Sequence, residues 1–284
     1  MSPNHPIFAL IVFAIAFGTA FLLRKKLPLT TTGSRYETID GLRGFLAFAV
    51  FLHHAYIWFK FIHTNAWQSP ESAFYNQLGQ TGVAFFFMIT SFLFVTKLLQ
   101  SDEKPIRWDQ LFVSRLFRLA PMYFVSIILL VFVVMILSQW HRQVSFSRLM
   151  GELACWFTFT IPAAPNINGS VLTSIINAGV VWSLPYEWLF YFSLPILAVL
   201  ISRKLTAIPY LVLSIGFVSA FCYYKGIGWP HVYSFLGGAI APFIIKFAPP
   251  KFNINHPGFN VVILLCVLGI PFFWTADNLW CKLL

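Results

Sequence analysis

The stretch LAPMYFVSIILLVFVVMILS, residues 119–138, decides the fold class because it contains no charged side chain. An apolar run of about twenty residues forms a helix long enough to cross a hydrocarbon layer of roughly 30 Å. Similar runs recur along the chain, in which 58% of the 284 residues are hydrophobic and only 10% are charged. Soluble globular proteins carry about 25% charged residues. The sequence therefore predicts an integral membrane protein.

The apolar runs predict an all-α fold, a polytopic transmembrane helix bundle of about 8 spans. The alternating ten-residue pattern that is typical of outer-membrane barrel strands is not found in these runs. The predicted spans lie near residues 5–23, 44–62, 81–99, 119–138, 180–202, 206–224, 230–247 and 258–275.

The distribution of Lys and Arg predicts the orientation of the bundle. If the N-terminus lies outside and the chain crosses at each predicted span, 14 of the 19 Lys and Arg side chains fall on the cytoplasmic side. Cytoplasmic loops carry an excess of these residues, so we expect this orientation and not the reverse. The net charge of +10 is thus mostly a topology signal. We expect no nucleic-acid partner, because the chain has no arginine-rich arm or soluble basic domain.

A short apolar segment, residues 151–164, is predicted to be re-entrant or interfacial. If it crossed the membrane, every later basic loop would change sides and Arg203 and Lys204 would lie outside. For the organisation of the chain, we expect an N-terminal anchor helix and linker over residues 1–36. The main bundle is expected over residues 37–284.

Polar residues within the second predicted span form the strongest candidate site. Arg43 and His54 are eleven residues apart, close to three whole helical turns, so they share one helix face about 16 Å apart. Asp40 lies near the same face, and the neighbouring His53 points away from it. Titratable groups inside spans are costly and usually face a protein interior or a water-filled cavity. A neutral His54 is a plausible general base, and a structural role against another helix is the alternative.

Two further motifs carry charge into later spans. Arg115 and Arg118, at the predicted cytoplasmic end of the fourth span, are three apart and share a helix face. Guanidinium groups suit phosphate oxygens, so with Arg43 they are candidates for a phosphate-binding mouth; a basic membrane anchor is the alternative. Glu187 enters the next long span, where it is positioned to pair with an arginine, to orient a hydroxyl substrate, or to act as a buried structural partner.

The four cysteines predict neither a metal site nor a redox site. Their positions are dispersed and show no metal-ligand spacing. We interpret them as small apolar packing residues, and we expect no metal and no permanently bound cofactor. They are Cys155, Cys222, Cys266 and Cys281.

Five stretches of the chain, in order, resemble the membrane acyltransferase-3 family, whose members acylate cell-surface sugars. The first is the DGLRG motif that begins at Asp40, with ten residues between Arg43 and His54. The others are FFFMITSFLF (85–94), RLFRLAPMY (115–123), WSLPYEWLFY (182–191) and YSFLGGAIA (233–241).

The resemblance implies transfer of an acyl group, often acetyl, from cytoplasmic acyl-CoA to a hydroxyl of a carbohydrate acceptor. It implies His54 as the essential histidine and Arg43 as its paired arginine. With Glu187, these two are the expected catalytic residues, and Arg43, Arg115 and Arg118 are expected to hold the phosphates of acyl-CoA. We expect a protein of the bacterial inner (plasma) membrane.

The chain departs from the family pattern at two places. Thr90 and Ser91 stand where the family usually has Ser-Gly. The chain also ends soon after the eighth predicted span, where the family generally continues through further helices, so we expect a bundle that is short at its C-terminus. Two other functions stay open at this point, a saccharide transporter or flippase and a non-catalytic remnant of the family.

Overall fold

A computed structural model describes residues 5–24, 37–101, 105–202, 208–226 and 228–247. These residues form helices and turns, and no strand occurs within the described ranges. The prediction of an all-α polytopic fold is confirmed. The helices are α1 Pro6–Arg24, α2 Glu37–Thr64, α3 Ala73–Leu99, α4 Trp108–Leu137, α5 Phe146–Phe157, α6 Thr173–Ile176, α7 Leu184–Ser202, α8 Ile208–Lys225 and α9 Trp229–Phe247.

Six of these helices are long and apolar enough to cross a membrane, namely α1, α2, α3, α4, α7 and α8. Helix α9 occupies the predicted span 230–247 but is not one of the six, because His231, Lys246 and two adjacent glycines interrupt its apolar run. The predicted span 258–275 and most of the linker before α2 lie outside the described residues.

The short helix α5 settles the ambiguous segment 151–164. It has 12 residues, which corresponds to roughly 18 Å of rise and is too short for a roughly 30 Å layer. Its N-terminus is capped by Ser145, whose hydroxyl accepts a hydrogen bond from the backbone N–H of Arg148 at 3.4 Å. Residues 158–164 continue as turns and irregular backbone. The segment therefore does not cross as one continuous helix, as the sequence predicts.

The chain divides into two compact units, which are described separately. Unit one comprises Met1–Ile89 and Phe247–Leu284, and unit two comprises Thr90–Lys246. In unit one, α1 packs on α2 and α3 through small and aromatic side chains, with Phe13 at 5.0 Å from Phe45 and Tyr56 stacked on Tyr75 at 4.5 Å between ring centroids. Such van der Waals contacts hold helices together in lipid, where the burial of apolar surface contributes little to helix association.

In unit two, aromatic stacking and a few polar links join the helices. Phe192 of α7 stacks on Phe217 of α8 at 4.0 Å. The Ser91 hydroxyl of α3 donates to the carbonyl of Phe235 in α9 at 2.5 Å. Ser91 is fully buried, so its hydroxyl lies at an interhelical contact.

The connection between α4 and α7, residues 138–183, folds into a compact segment that we call the connecting platform. Glu152 of α5 is buried, and its two oxygens accept from Arg148 Nε and from the Asn168 backbone N–H, both at 2.9 Å. The Asn168 side chain in turn donates to the carbonyl of His141 at 3.0 Å. Lys225 of α8 donates to the Thr160 carbonyl at 2.9 Å. These bonds fix the platform within unit two.

Candidate functional site

Arg43 and His54, which we call the stripe, lie on one continuous helix, as their spacing predicts. Arg43 and His54 both belong to α2, so their spacing of eleven residues corresponds to a rise of roughly 16 Å. Both side chains are half-buried within unit one. The two candidate residues therefore lie on the protein-facing side of the helix.

Asp40 accompanies Arg43 at the start of α2. Its Oδ1 atom lies 3.9 Å from Nη1 of Arg43, with side-chain exposures of 63% for Asp40 and 26% for Arg43. An ion pair this long with one exposed partner contributes about 0–1 kcal/mol. The ion pair with Asp40 is therefore a weak restraint on Arg43.

His54 has a buried ring nitrogen with no hydrogen-bond partner in the part of the chain that the structure describes. Among the described residues, nothing donates to or accepts from Nδ1 of His54. Buried polar atoms almost always have a partner, and an exception requires an explanation. A nitrogen held ready to bond with an incoming hydroxyl is such an explanation, and it is the geometry that a general base needs.

His53, which helical phase directs away from the stripe, is in contact with both α3 and His54. Its Nδ1–H donates to the carbonyl oxygen of Tyr75 at 2.8 Å. Its ring lies against the backbone at Gly79. The two histidine rings meet edge to face, with centroids 4.9 Å apart. These contacts were not predicted from the sequence, in which Gly79 is one of two glycines near the start of α3.

A second group of side chains, Arg115, Glu187 and Tyr191, joins α4 and α7 inside unit two. The Tyr191 hydroxyl donates to Oε1 of Glu187, one helical turn before it. The Arg115 guanidinium interacts with the same hydroxyl, and it lies 5.4 Å from the ring centroid of Phe94. Tyr191 is almost fully buried. Arg115 and Glu187, predicted separately from two motifs, are thus brought together through Tyr191.

Arg115 and Arg118 have different surroundings although they share a helix. Arg115 is half-buried, and its Nε atom has no hydrogen-bond partner among the described residues. Arg118 is exposed. Helix α4 begins at Trp108, so both arginines lie within the helix and not at its first residue. Arg118 is the more accessible of the two.

The start of α7 differs from a simple continuous helix. Ser183 closes a 3-10 turn, Val180–Ser183, and its hydroxyl donates to the Val180 carbonyl at 3.3 Å. Trp182 is partly exposed and contacts the ring of His231 at 4.7 Å, whereas Trp188 is buried. Of these two tryptophans, Trp182 is therefore the one with the exposure of an interface-belt residue.

Within the described ranges, no three His, Cys, Asp or Glu side chains converge into a group that would hold a metal ion. Cys155 and Cys222 are free thiols, and the other two cysteines lie outside the described residues. Unit one offers a histidine within a span, and unit two offers a hydrogen-bonded tyrosine and glutamate beside an arginine.

A family model described as an acyltransferase domain matches residues 36–281 of the chain. The match covers α2 through α9. It therefore includes the stripe in α2 and the group formed by Arg115, Glu187 and Tyr191. No curated protein and no solved structure matches the chain.

Proposed function

The chain belongs to the membrane acyltransferase-3 family, and from this premise we propose the identities of its donor and acceptor. The family makes it an acyltransferase of the membrane that transfers groups other than aminoacyl groups. We propose that the group is acetyl and that the donor is cytoplasmic acetyl-CoA. The proposed acceptor is a hydroxyl of a cell-surface or lipid-linked saccharide.

The observation that carries this proposal is the state of His54. Its Nδ1 atom is buried within a span and bonds to no protein group among the described residues, and it shares a protein-facing side with Arg43. A titratable group inside a span is a functional-site hypothesis by default. A base at this depth is accessible to an acceptor hydroxyl only along a path inside the protein, as acyl transfer across a membrane requires.

In the proposed reaction, His54 removes the proton from the acceptor hydroxyl as its oxygen attacks the thioester carbonyl. The new C–O bond of the ester forms, the C–S bond of acetyl-CoA breaks, and the thiolate leaves with the proton that His54 carried. Atoms and charge balance without an oxidant or a metal. Direct attack and a covalent acyl intermediate both fit these residues, and in the second case His54 assists passage of the acyl group.

Arginines of each unit are proposed, separately, as phosphate ligands for the donor. Arg43 and the exposed Arg118 offer guanidinium forks whose planar donors match phosphate oxygens. Arg115 is the third proposed phosphate ligand, and its contact with Tyr191 restricts the direction of its donors. From the excess of Lys and Arg in the loops, we assign the start of α2 to the cytoplasm, and separately the first turns of α4.

Glu187 is proposed to orient the acceptor hydroxyl or a histidine. The Tyr191 hydroxyl occupies Oε1, and Oε2 is the oxygen that we assign to this role. The platform that precedes α7 is proposed to lie on the outer side of the bacterial inner membrane, with the N-terminus, where the acceptor arrives.

The experiment is mass analysis of the surface polysaccharide from cells with and without the gene. We expect an acyl ester, 42 mass units for acetyl (about the mass of C2H2O), that disappears with the gene. His54→Ala is expected to abolish the ester while the protein still inserts. His63→Ala is the matched control, since His63 is exposed on the same helix and its Nδ1 bonds to the nearby Phe59 carbonyl at 2.7 Å. An unchanged ester in His54→Ala would refute the assignment.

A further inference from the structure

We propose that His53 is a positioning residue for His54 and that one turn of α3, Tyr75–Gly79, holds its ring in place. The inference rests on the proposed function only for the role of His54. The contacts themselves all lie within unit one.

The first contact fixes the rotation and the proton of the His53 ring. A carbonyl oxygen can only accept, so the 2.8 Å contact between Nδ1 of His53 and the Tyr75 carbonyl places a hydrogen on Nδ1. The terminal torsion of a histidine side chain is otherwise broad. This bond selects one ring orientation, and in the neutral ring it leaves Nε2 as the acceptor.

The second contact is the close approach of the ring to α3. A Cβ atom built at Gly79 would lie 2.5 to 2.7 Å from three ring atoms of His53, nearer than real Cβ contacts occur. These ring atoms lie near the Cβ atom of His53, so they cannot move aside as the end of a flexible side chain would. Because Gly79 has no side chain, the His53 ring can contact the backbone of α3. That backbone limits how far the ring can move.

The third contact transmits this restraint to His54. The rings of the two histidines meet at 4.9 Å between centroids and 78° between planes. Consecutive helical residues point about 100° apart, so the rings touch only when both side chains turn towards each other. Because Nδ1 of His54 bonds to no protein group among the described residues, it contributes nothing to holding the ring, and the His53 edge supplies a restraint.

The expected consequence is loss of rate without loss of donor binding when His53 moves. A displacement of about 1 Å in a reacting group can lower a rate by roughly 100-fold. Donor binding depends on other residues, so KM for acetyl-CoA should change little. A lower kcat with an unchanged KM for acetyl-CoA distinguishes a positioning residue from one that merely supports the fold.

The test uses two glycine substitutions on the same helix. Gly79→Ala adds one methyl group against the His53 ring, whereas Gly82→Ala adds one at 2.7 Å from a Val50 methyl and 3.4 Å from the Leu46 carbonyl oxygen, so it crowds the same helix without touching either histidine. Both changes raise helix propensity equally. With the full chain in nanodiscs, [14C]acetyl-CoA and extracted surface polysaccharide, we expect Gly79→Ala to lower kcat by about 10- to 100-fold with KM within about twofold. Gly82→Ala should retain most of the rate, and equal rates for the two variants would overturn the proposal.

Substitutions of His53 itself test the hydrogen bond. His53→Asn keeps an N–H donor near the place of Nδ1, whereas His53→Leu removes both donor and ring. We expect the rate to fall in the order wild type, His53→Asn, His53→Leu. A His53→Leu variant that matches the wild-type rate would contradict a positioning role.

A readout without activity separates this inference from the proposed function. In the 15N-histidine NMR spectrum of the same nanodisc sample, His53 should show a protonated Nδ1, and Gly79→Ala should shift the resonances of both His53 and His54. A His53 proton on Nε2, or a His54 resonance unmoved by Gly79→Ala, would overturn the inference. Full transfer activity in His54→Ala would instead overturn the proposed function and leave the ring coupling intact.

Discussion

At the scale of single residues, Tyr191 connects two charges that lie on different helices of unit two. Its hydroxyl donates to Glu187 and interacts with Arg115, and its ring packs 5.4 Å from that of Phe94. Half-buried charges that share a partner behave as a coupled group, because removing one member leaves the others with fewer bonds. Tyr191 is therefore central to this group although it carries no charge.

Replacing Tyr191 tests that coupling. We expect Tyr191→Phe to reduce the acyl transfer rate by about tenfold, and Glu187→Gln combined with it to cost less than the product of the two single effects. Tyr223→Phe is the control, since Tyr223 is 83% exposed on α8. Initial rates for the four variants and the wild type provide the measurement. Independent, multiplicative effects would show that the three groups do not act together.

Arg118 supplies a prediction about donor binding. If its exposed guanidinium contacts a phosphate of acyl-CoA, Arg118→Ala should raise KM for the donor by about 10- to 100-fold, since a hydrogen bond to a charged group contributes about 1.5–3 kcal/mol. The value of kcat should change little. Arg107→Ala is the matched change nearby, because Arg107 is exposed and lies 3.8 Å from Asp109. Equal KM values for the two variants would remove Arg118 from the donor site.

At the scale of elements, Glu152 holds the connecting platform together. Both of its carboxylate oxygens accept hydrogen bonds, from Arg148 and from the Asn168 backbone. Asn168 has a left-handed backbone with φ of 51°, a conformation that asparagine tolerates better than most residues. The buried carboxylate therefore stabilises a turn that the backbone alone would not favour.

The corresponding prediction concerns stability. Glu152→Gln replaces one accepting oxygen by a donor, so at least one N–H loses its partner, and the free energy of unfolding should fall by about 1–3 kcal/mol. Thermal unfolding of the purified protein in detergent should show Tm lower by several degrees. Glu71→Gln serves as the control, because Glu71 is 80% exposed and changes at such positions stay within about 0.5 kcal/mol. A Tm for Glu152→Gln equal to that of the control would disprove the platform's dependence on this carboxylate.

Helix boundaries show what apolar runs can and cannot predict. The runs located α1, α2, α3, α4, α7, α8 and α9, yet α4 begins at Trp108, eleven residues before the predicted 119. Its first three turns contain Arg115 and Arg118, which interrupt an apolar pattern but not a helix, because backbone hydrogen bonding does not depend on apolar side chains. Arginine is in fact a good helix former. The apolar runs therefore underestimate the lengths of α2, α3 and α4, whereas α7 begins four residues after its predicted start.

The features of the candidate site that could be predicted from the sequence lie within one helix, and those that could not lie between helices. The alignment of Arg43 with His54 followed from the sequence, because both lie on one helix and helical phase is fixed. The contacts of His53 with Gly79 and of Arg115 with Tyr191 could not be predicted, since each joins two helices and depends on how they pack. Within-helix geometry was available from the sequence, and contacts between helices were not.

At the scale of the whole molecule, the orientation in the membrane stays a prediction from the loops. It is tested with single cysteines in a chain whose own cysteines have been replaced. Cysteine at position 142 should react with an impermeant maleimide on intact cells, and cysteine at position 107 should react only after the cells are opened. Arg142 and Arg107 are both exposed, so accessibility within the protein is matched. The reverse labelling pattern would invert the assigned orientation.

The most direct measurement of the central claim is acyl transfer by the purified chain in proteoliposomes, with acetyl-CoA supplied on one side and surface polysaccharide on the other. Released CoA thiol and newly formed ester should appear in a one-to-one ratio for the wild type, because one C–S bond breaks for each C–O bond formed. His54→Ala should give neither product above background, while His63→Ala should match the wild type. Polysaccharide transport without thiol release, or full ester formation by His54→Ala, would contradict an acyltransferase that uses His54 as its base.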